Sequence, residues 1–326
     1  MRQFDVKRFF AGSVLAALAS IACVGAAAYP DNTIRMIVPW PPGGATDVVA
    51  RIVSKRLSER LGQPIVIDNR AGASGMIGTE AGAKAVPDGY TLMTLADSYV
   101  ISALVSPKVV RYDPRKDFTE IGLYGYMPFV LVVGAEKHGG SLVQFIEQAR
   151  RPASSALTFS SWGVGSSSHL AMEMFKAQIG AQMMHVPYQG AAPALVAVLG
   201  GQVDVLLVPL TVALPHHRSG KAKILGVAAM NRFPGAPGLP TMAEQGVPAT
   251  LGSWMGLLGP AKMPADIVAR LSVELKAMSE EPQLREALIQ TGMEATYLTP
   301  QEFTRFVSSD YERLSKVIRE ANIKTD

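Results

Sequence analysis

Three segments of this chain place glycine and hydroxyl residues directly before a run with helical periodicity. They are residues 41–47 (PPGGATD), 69–75 (NRAGASG) and 160–166 (SSWGVGS). Glycine lets the backbone approach a ligand closely, and the free N–H groups at a helix start attract a carboxylate or a phosphate. A single loop of this composition is common in the turn between a strand and a helix. The prediction of an anion-binding cleft therefore depends on the recurrence of such loops in successive units.

Catalytic motifs are poorly represented in the sequence. Ser166 does not lie in the G-x-S-x-G pattern of a nucleophile elbow, and the glycine patterns that bind dinucleotides or nucleoside triphosphates are absent. His169 follows Ser166 by three residues, so the histidine either orders its own loop or acts as a general base. The sequence reveals no acid to orient that ring. None of the five histidines has a zinc-binding spacing, and we expect neither a metal nor a cofactor.

The first 28 residues have the pattern of a secretory signal peptide. Lys7 and Arg8 precede an apolar stretch of small residues that ends at Ala28. This pattern is typical of a signal that is cleaved, although the stretch is also about long enough to remain as a membrane anchor. Because the single cysteine, Cys23, lies within it, cleavage would leave a chain without disulfide or thiolate chemistry.

The charge balance argues against nucleic-acid binding. The chain has a net charge of +4, and half of that charge lies in the first 28 residues. The remainder lacks a basic run interleaved with aromatic residues, so it has no electrostatic footprint for a polyanion. With 326 residues and a hydrophobic fraction of 48%, the chain is long enough for two packed domains.

Hydrophobic periodicity predicts strands that alternate with helices. In the first unit, a β-branched run at 34–38 precedes a helix whose apolar face repeats every four residues from Val49 to Leu61. Further strands are predicted at 65–67, 91–95, 157–160, 183–186, 203–208 and 224–228. This alternation is typical of parallel βαβ units and predicts an α/β fold.

Two apolar segments, 123–133 and 251–258, are predicted to cross between two domains, and a mainly helical end of the chain would return to the first. We therefore predict a signal peptide at 1–28, a discontinuous α/β domain at 29–126 plus 253–326, and a second α/β domain at 127–252. A cleft between such domains, at the carboxyl ends of their strands, is a favoured ligand site.

Short motifs in a fixed order make the chain resemble a known family. They include VPWPPGG at 38–44, PDGYTL at 87–92, HLA at 169–171, VPY at 186–188 and GGQVD at 200–204. Their order over the mature chain resembles the Bug family of bacterial periplasmic solute-binding proteins, the receptor components associated with tripartite tricarboxylate transporters. The resemblance implies a type II-like, two-domain "Venus flytrap" that holds a small carboxylated solute in a cleft between its domains.

The same resemblance implies a set of ligand-binding positions in the three loops. The first two loops would hold one ligand carboxylate, partly through water, and the third loop would complete the enclosure. These positions are Pro42, Gly43, Gly44, Thr46, Asp47, Ala73, Ser74, Ser161, Gly165, Ser166 and His169. Asp204 matches an aspartate of the family whose role is either in binding or structural.

Asp97 departs from the family pattern, which has small hydroxyl residues after the strand at 91–95. It would lie where cleft residues are expected. Like charges 4 Å apart repel by about 4 kcal/mol at an effective dielectric constant of 20. If Asp97 lines the pocket, a solute with an amine or ring nitrogen besides its carboxylate is therefore favoured over a plain dicarboxylate. The alternative is that Asp97 faces solvent or caps the following helix.

These observations predict a monomeric periplasmic receptor that captures an organic acid or an amino acid for the membrane subunits of a transporter. A sensor that presents the captured solute to a signalling partner would share this sequence. A hydrolase that uses Ser166 and His169 is the third alternative.

Overall fold

The computed structural model describes residues 29–137, 140–151 and 157–323, so the predicted signal peptide at 1–28 lies outside the described residues. The strands are β1 (Ile34–Val38), β2 (Ile65–Asn69), β3 (Thr91–Ala96), β4 (Phe118–Gly134), β5 (Leu157–Ser161), β6 (Met183–Pro187), β7 (Val205–Pro209), β8 (Ala222–Val227), β9 (Gly252–Pro260) and β10 (Glu294–Leu298). The helices are α1 (Ala45–Leu61), α2 (Met76–Ala83), α3 (Ser98–Val105), α4 (Leu142–Ala149), α5 (Ser167–Ile179), α6 (Ala191–Leu199), α7 (Leu210–Arg218), α8 (Ala265–Ser279), α9 (Pro282–Gln290) and α10 (Pro300–Glu320).

The described strands form one sheet with a parallel group at each end. β2, β1 and β3 are parallel neighbours at one end, and β7, β5 and β6 are parallel neighbours at the other. β9 and β4 run between the two groups, antiparallel to the strands beside them, and β8 and β10 both pair with β4. The α/β class predicted from the alternating pattern is therefore confirmed.

β4 is a single strand of 17 residues that serves both halves of the sheet. Its first part pairs with β9 and β10, whereas its last six residues pair with β7 and β8. In that last part, Val130 and Val132 pack against α6 and α7, while Leu131 and Val133 pack against α4 and α5. The alternation follows from the two-residue period of a strand and explains why the run is apolar without interruption.

The first half buries β1 on both of its faces. Met36 packs in a core with Val49 and Leu57, the helix stripe predicted from the sequence, whereas Ile37 packs in another core with α3 and α10. Because β2, β1 and β3 are parallel, their carboxyl ends lie in a row at one edge of the sheet, where the loops that follow them can meet.

Sequence periodicity missed several elements. β10 lies in the part of the chain that was predicted to be mainly helical, and β4 begins five residues before the predicted start of the crossing segment at 123. α3 was not predicted because a short apolar run of eight residues is ambiguous between strand and helix. Within the described residues, every helix is too short or too polar to span a bilayer.

Candidate functional site

The first glycine loop is shaped by Asp47, in the first turn of α1. Its carboxylate is only 2% exposed and accepts hydrogen bonds from the backbone N–H of Gly43 and from Nε of Arg51, both at 2.9 Å. The hydrogen bond from Arg51 is the main reason why the pKa of Asp47 is lowered to about 2. Asp47 is thus charged at neutral pH, and its contacts in the structure hold the loop.

The first and second loops are fastened to each other. Nδ2 of Asn69, the last residue of β2, donates hydrogen bonds to Oδ1 of Asp47 (2.8 Å) and to the carbonyl oxygen of Trp40 (3.0 Å). Gly78 of α2 lies so close to Pro39 that an added Cβ would come within 2.8 Å of the Cα of Pro39. This close approach requires glycine at position 78 and brings the starts of α1 and α2 together.

The starts of α1 and α2 present backbone groups instead of capping side chains. Neither Gly44, before α1, nor Gly75, before α2, is accompanied by a side-chain cap. Ala73 and Ser74 have φ angles of 46° and 53°, a left-handed conformation that non-glycine residues rarely adopt. Predicted site residues Pro42, Gly43 and Gly44 are exposed, and so are Ala73 and Ser74, while Thr46 is half-buried. The free N–H groups of these helix starts are suited to an anion.

The third loop uses its two predicted donors internally. Oγ of Ser166 caps α5 by accepting from the backbone N–H of His169 (3.3 Å) and donates to the carbonyl oxygen of Gly163 (2.7 Å). Oγ of Ser161 is fully buried, accepts from the N–H of Gly163 (3.1 Å) and lies 2.7 Å from Nε2 of His185. Both hydroxyls therefore stabilise the loop, and direct contact with a ligand stays a prediction.

A stacked pair of histidines contacts the third loop and holds its shape. The ring centroids of His169 and His185 are 3.8 Å apart, and Nδ1 of His169 accepts a hydrogen bond from the N–H of Gly165 (3.1 Å). Burial lowers the pKa of His169 to about 3 and that of His185 to about 4. Both rings are uncharged at neutral pH, so His169 orders its own loop, as one of the two sequence interpretations expected.

The geometry does not assemble the nucleophile and base of a hydrolase. The hydroxyl of Ser166 contacts the backbone of His169 and not its ring. Nε2 of His169 is 3.8 Å from Glu173, beyond hydrogen-bond reach, and Glu173 is itself paired with Lys176 at 2.8 Å. The described residues also contain no group of three or more histidine, cysteine, aspartate or glutamate side chains placed to hold a metal ion.

Helix α3 connects the second loop to the third. It begins after Asp97, lies beside the short 3₁₀ turn Ala73–Gly75, and ends with Val105 against Gly165. A Cβ added at Gly165 would come within 2.7 Å of Cγ1 of Val105. The second and third loops thus both contact one short helix, and the first loop is fastened to the second through Asn69.

Asp97 does not face solvent, and its side chain does not cap α3. The two alternatives to a position in the pocket are therefore wrong. Asp97 is 6% exposed, makes no side-chain cap, and accepts a hydrogen bond from Oγ of Ser253 at the start of β9. Burial raises its pKa to about 7. Asp97 borders a cavity of about 240 Å³ between α3, α5 and α10.

Asp204 lies outside the candidate site. It precedes β7, and its Oδ2 accepts from the N–H (2.7 Å) and the hydroxyl (2.8 Å) of Thr158, near the start of β5. Its Oδ1 is 2.7 Å from Nζ of Lys137. The glycine loop of this half follows the opposite end of β5, so Asp204 joins two strands at the far edge of the sheet and its role is structural.

Sequence reasoning missed the residues that organise the site from neighbouring elements. His185 lies in the middle of β6, and its link to Ser161 depends on the parallel register of β5 and β6. Ser253 meets Asp97 only because β9 is antiparallel to β3. Asn69 did lie in the second motif, but its bond to Asp47 was not foreseen because it joins residues 22 positions apart.

Comparison with known proteins identifies relatives over nearly the whole chain. The family model described as "Tripartite tricarboxylate transporter family receptor" matches residues 49–323. Protein BugT of Bordetella pertussis is 34% identical over 316 residues, which cover 96% of this chain and 96% of that protein. The relatedness therefore extends across both halves of the sheet and all three loops.

Solved structures with the same fold include two with bound dicarboxylates. The R. palustris protein Rpa4515, solved with adipate, is 32% identical with a TM-score of 0.76, covering 91% of this chain and 99% of that one. MatC from Rhodopseudomonas palustris, solved with malate, is 30% identical with a TM-score of 0.71, covering 89% and 100%. The neighbours are two-domain solute-binding proteins and not enzymes, so the predicted fold class and the absence of catalysis are confirmed.

Proposed function

Because the chain belongs to the tripartite tricarboxylate transporter family of receptors, we propose that it captures a small carboxylated solute between its two halves. The observation that carries the proposal is the pair of helix starts at α1 and α2, which Asp47 and Asn69 hold side by side without a capping side chain. Backbone N–H groups and the dipoles of the two helices provide a site for one carboxylate. Arg51 is engaged by Asp47, so the attraction is local and comes from the backbone.

The third loop closes the site from the second half. Gly165 meets α3 through Val105, and the internal bonds of Ser161, Ser166 and His169 keep this loop in one shape. We assign these three polar residues to loop geometry and give the ligand contacts to the first two loops, with Pro42, Gly43, Gly44, Thr46, Ala73 and Ser74. The adipate and malate bound by relatives agree with a solute of this chemical class.

The two halves act as domains in this proposal. The division at 127 and 253 is supported by β4, which changes partners from β9 to β7 and β8 near Pro128, and by β9, which begins at Gly252. Removal of residues 1–28 would release the chain into the periplasm as a monomer. There it would pass the solute to the membrane subunits of a transporter, with presentation to a signalling partner as the second candidate.

A charge placed at the start of α1 tests the site directly. Ala45 is the first residue of α1 and is exposed. Ala45→Glu adds a negative charge beside the proposed carboxylate, and we expect at least a tenfold loss of affinity, because like charges repel. Glutamate at a helix start stabilises the helix, so unfolding does not explain such a loss. Ala45→Gln, with nearly the same shape and no charge, is the control and should bind like the parent protein.

The measurement is a thermal shift with ligand-free protein and a panel of mono- and dicarboxylates. A bound solute raises the melting temperature according to its concentration relative to its dissociation constant. The proposal fails if no carboxylate shifts the parent protein, or if Ala45→Glu and Ala45→Gln bind equally well.

A further inference from the structure

The cavity beside Asp97 is separate from the two helix starts. Its wall comes from both halves of the molecule, with Ser167 and Met174 on α5 facing Asp310 and Arg313 on α10. At about 240 Å³ it is slightly smaller than the roughly 300 Å³ at which pockets for drug-sized ligands begin, which suits part of a small metabolite.

The charges in this cavity are unevenly matched. Asp310 and Arg313 form an ion pair at 2.5 Å, and Nε1 of Trp254 donates a 3.0 Å hydrogen bond to the other oxygen of Asp310. Asp97, in contrast, takes part in no ion pair within the described part of the chain. Its carboxyl group accepts hydrogen bonds from the hydroxyl of Ser253 and from the backbone N–H of Ser98, and only the more distant charge of Arg313 favours its ionised form electrostatically. When Asp97 is ionised, the cavity holds two carboxylates, Asp97 and Asp310, and one cation, Arg313. Because an uncompensated buried charge is costly, the cavity is suited to a further positive group.

Asp97 also lies close to the proposed carboxylate site. It follows β3, which pairs with β1, and the first loop follows β1. Neighbouring strands are about 4.8 Å apart, so the two positions are one strand apart at the same edge of the sheet. The 3₁₀ turn Ala73–Gly75 of the second loop also lies against α3, the helix that Asp97 precedes.

We infer that the cavity at Asp97 receives the ammonium group of a zwitterionic solute whose carboxylate lies at the starts of α1 and α2. The inference rests on the proposed function and narrows its substrate class to amino acids and related amino carboxylates. A plain dicarboxylate would leave Asp97 and Asp310 with Arg313 as the one cation of the cavity, or would place a third carboxylate beside them.

The binding of such a solute depends on pH in a defined direction. The charged and titratable groups that face Asp97 are Asp310 and Arg313 from α10 and Tyr126 from β4; the cavity residues on α3, α5 and β9 are not ionisable. Burial holds the pKa of Asp97 near 7, so about a tenth of the free protein carries the carboxylate at pH 6 and about nine tenths at pH 8. An ammonium should therefore bind about tenfold more tightly at pH 8 than at pH 6.

Matched pairs of probes test the inference. L-aspartate and succinate, L-glutamate and glutarate, and 2-aminoadipate and adipate differ within each pair by one ammonium group. We expect at least one amino acid to bind at least tenfold more tightly than its plain partner at pH 8. Asp97→Asn should reduce this ratio to within threefold of one, whereas Asp204→Asn, which changes a buried aspartate outside the site, should retain it.

A second variant keeps the test decisive if Asp97→Asn does not fold. Ser253→Ala removes the hydroxyl that donates to Asp97 and leaves the carboxylate in place. It should raise the pKa of Asp97, so that tight binding of the amino acid begins at a higher pH while binding of the plain acid does not move.

The possible results separate this inference from the proposed function. Plain acids that bind as tightly as their amino partners, or a preference that Asp97→Asn leaves intact, would overturn the inference and leave carboxylate capture standing. If neither series binds, both proposals fail. If Ala45→Glu weakens both members of a pair while Asp97→Asn weakens only the amino acid, both proposals are supported.

Discussion

The rings of His169 and His185 stack at a centroid distance of 3.8 Å, and each ring touches a different part of the third loop. His169 accepts from the backbone of Gly165, and His185 contacts the hydroxyl of Ser161. The two residues come from a helix and a strand of the second half, so the loop is held on two sides by one pair of neutral rings.

This pair predicts a loss of stability in mild acid. The pKa values of His169 and His185 are about 3 and 4 in the folded protein, against 6.5 for the unperturbed residue. The unfolded chain therefore binds more protons below pH 6.5, and the free energy of unfolding falls as the pH drops from 6.5 towards 4. Between pH 7.5 and 5.5 we expect a loss of about 1 kcal/mol per histidine. Urea denaturation at both pH values measures it.

Variants assign that loss to the pair. His185→Gln should show a smaller decrease between the two pH values than the parent protein, because one titrating ring is gone. His216→Gln, near the end of α7, is the control and should leave the decrease unchanged. An identical pH dependence in all three proteins would contradict the prediction.

Ser166→Ala should reduce stability more than affinity. The hydroxyl of Ser166 caps α5 and donates to Gly163, and loss of such a cap typically costs about 1 kcal/mol. We expect a lower melting temperature and a change in dissociation constant of less than threefold. An unchanged melting temperature with a tenfold loss of affinity would instead show that Ser166 binds the solute. Calorimetric titration and thermal melting of one preparation decide between these results.

Gly165→Ala should disturb the contact between the two halves. The new Cβ would approach Cγ1 of Val105 to 2.7 Å, and Gly165 has a φ of 71°, which disfavours alanine by roughly 1–2 kcal/mol. We expect weaker solute binding, because α3 must move away from the third loop. The double variant Val105→Ala with Gly165→Ala removes the clash but keeps the backbone strain. It should recover part of the affinity, and no recovery would show that the contact with Val105 is unimportant.

Asn69→Ala should separate the first loop from the second. The amide of Asn69 bonds to Asp47 and to the backbone of Trp40, and loss of a hydrogen bond to a charged group costs about 1.5–3 kcal/mol. We expect lower stability together with at least a tenfold loss of carboxylate affinity. Asn32→Ala, at an exposed position whose side chain bonds to Asp31 and Tyr90 and to none of the three loops, is the matched control. If Asn69→Ala bound the carboxylate with full affinity, the link between the first and second loops would not be required for binding.

Much of the fold could be predicted because local patterns determine it. The stripe from Val49 to Leu61 has one buried face, and the alternation of strands and helices leads to parallel pairing. β10 escaped prediction because its five residues are mostly half-exposed and gain their strand conformation from pairing with β4. A strand specified by a partner about 170 residues away leaves little trace in its own sequence.

The site was predictable in its loops and not in its connections. Glycine and hydroxyl residues before α1, α2 and α5 marked the three loops, because helix starts have local requirements. Whether Ser166 contacts a ligand or its own helix depends on the rotamer of one hydroxyl, which no motif specifies. The burial of Asp97 depends on Ser253, Asp310 and the returning strand β9, and therefore on tertiary structure alone.

The continuity of β4 limits how this receptor can diversify. Side chains of a strand alternate between faces, so one residue inserted or deleted near Pro128 would reverse the facing of every later residue of β4. Val130 and Val132 would then turn toward α4 and α5, and both layers of the second half would be mispacked at once. We therefore expect length changes to be tolerated in the loops around the cleft but not in the strand that joins the halves. New solute preferences should arise by substitution at loop positions while the length of β4 stays constant.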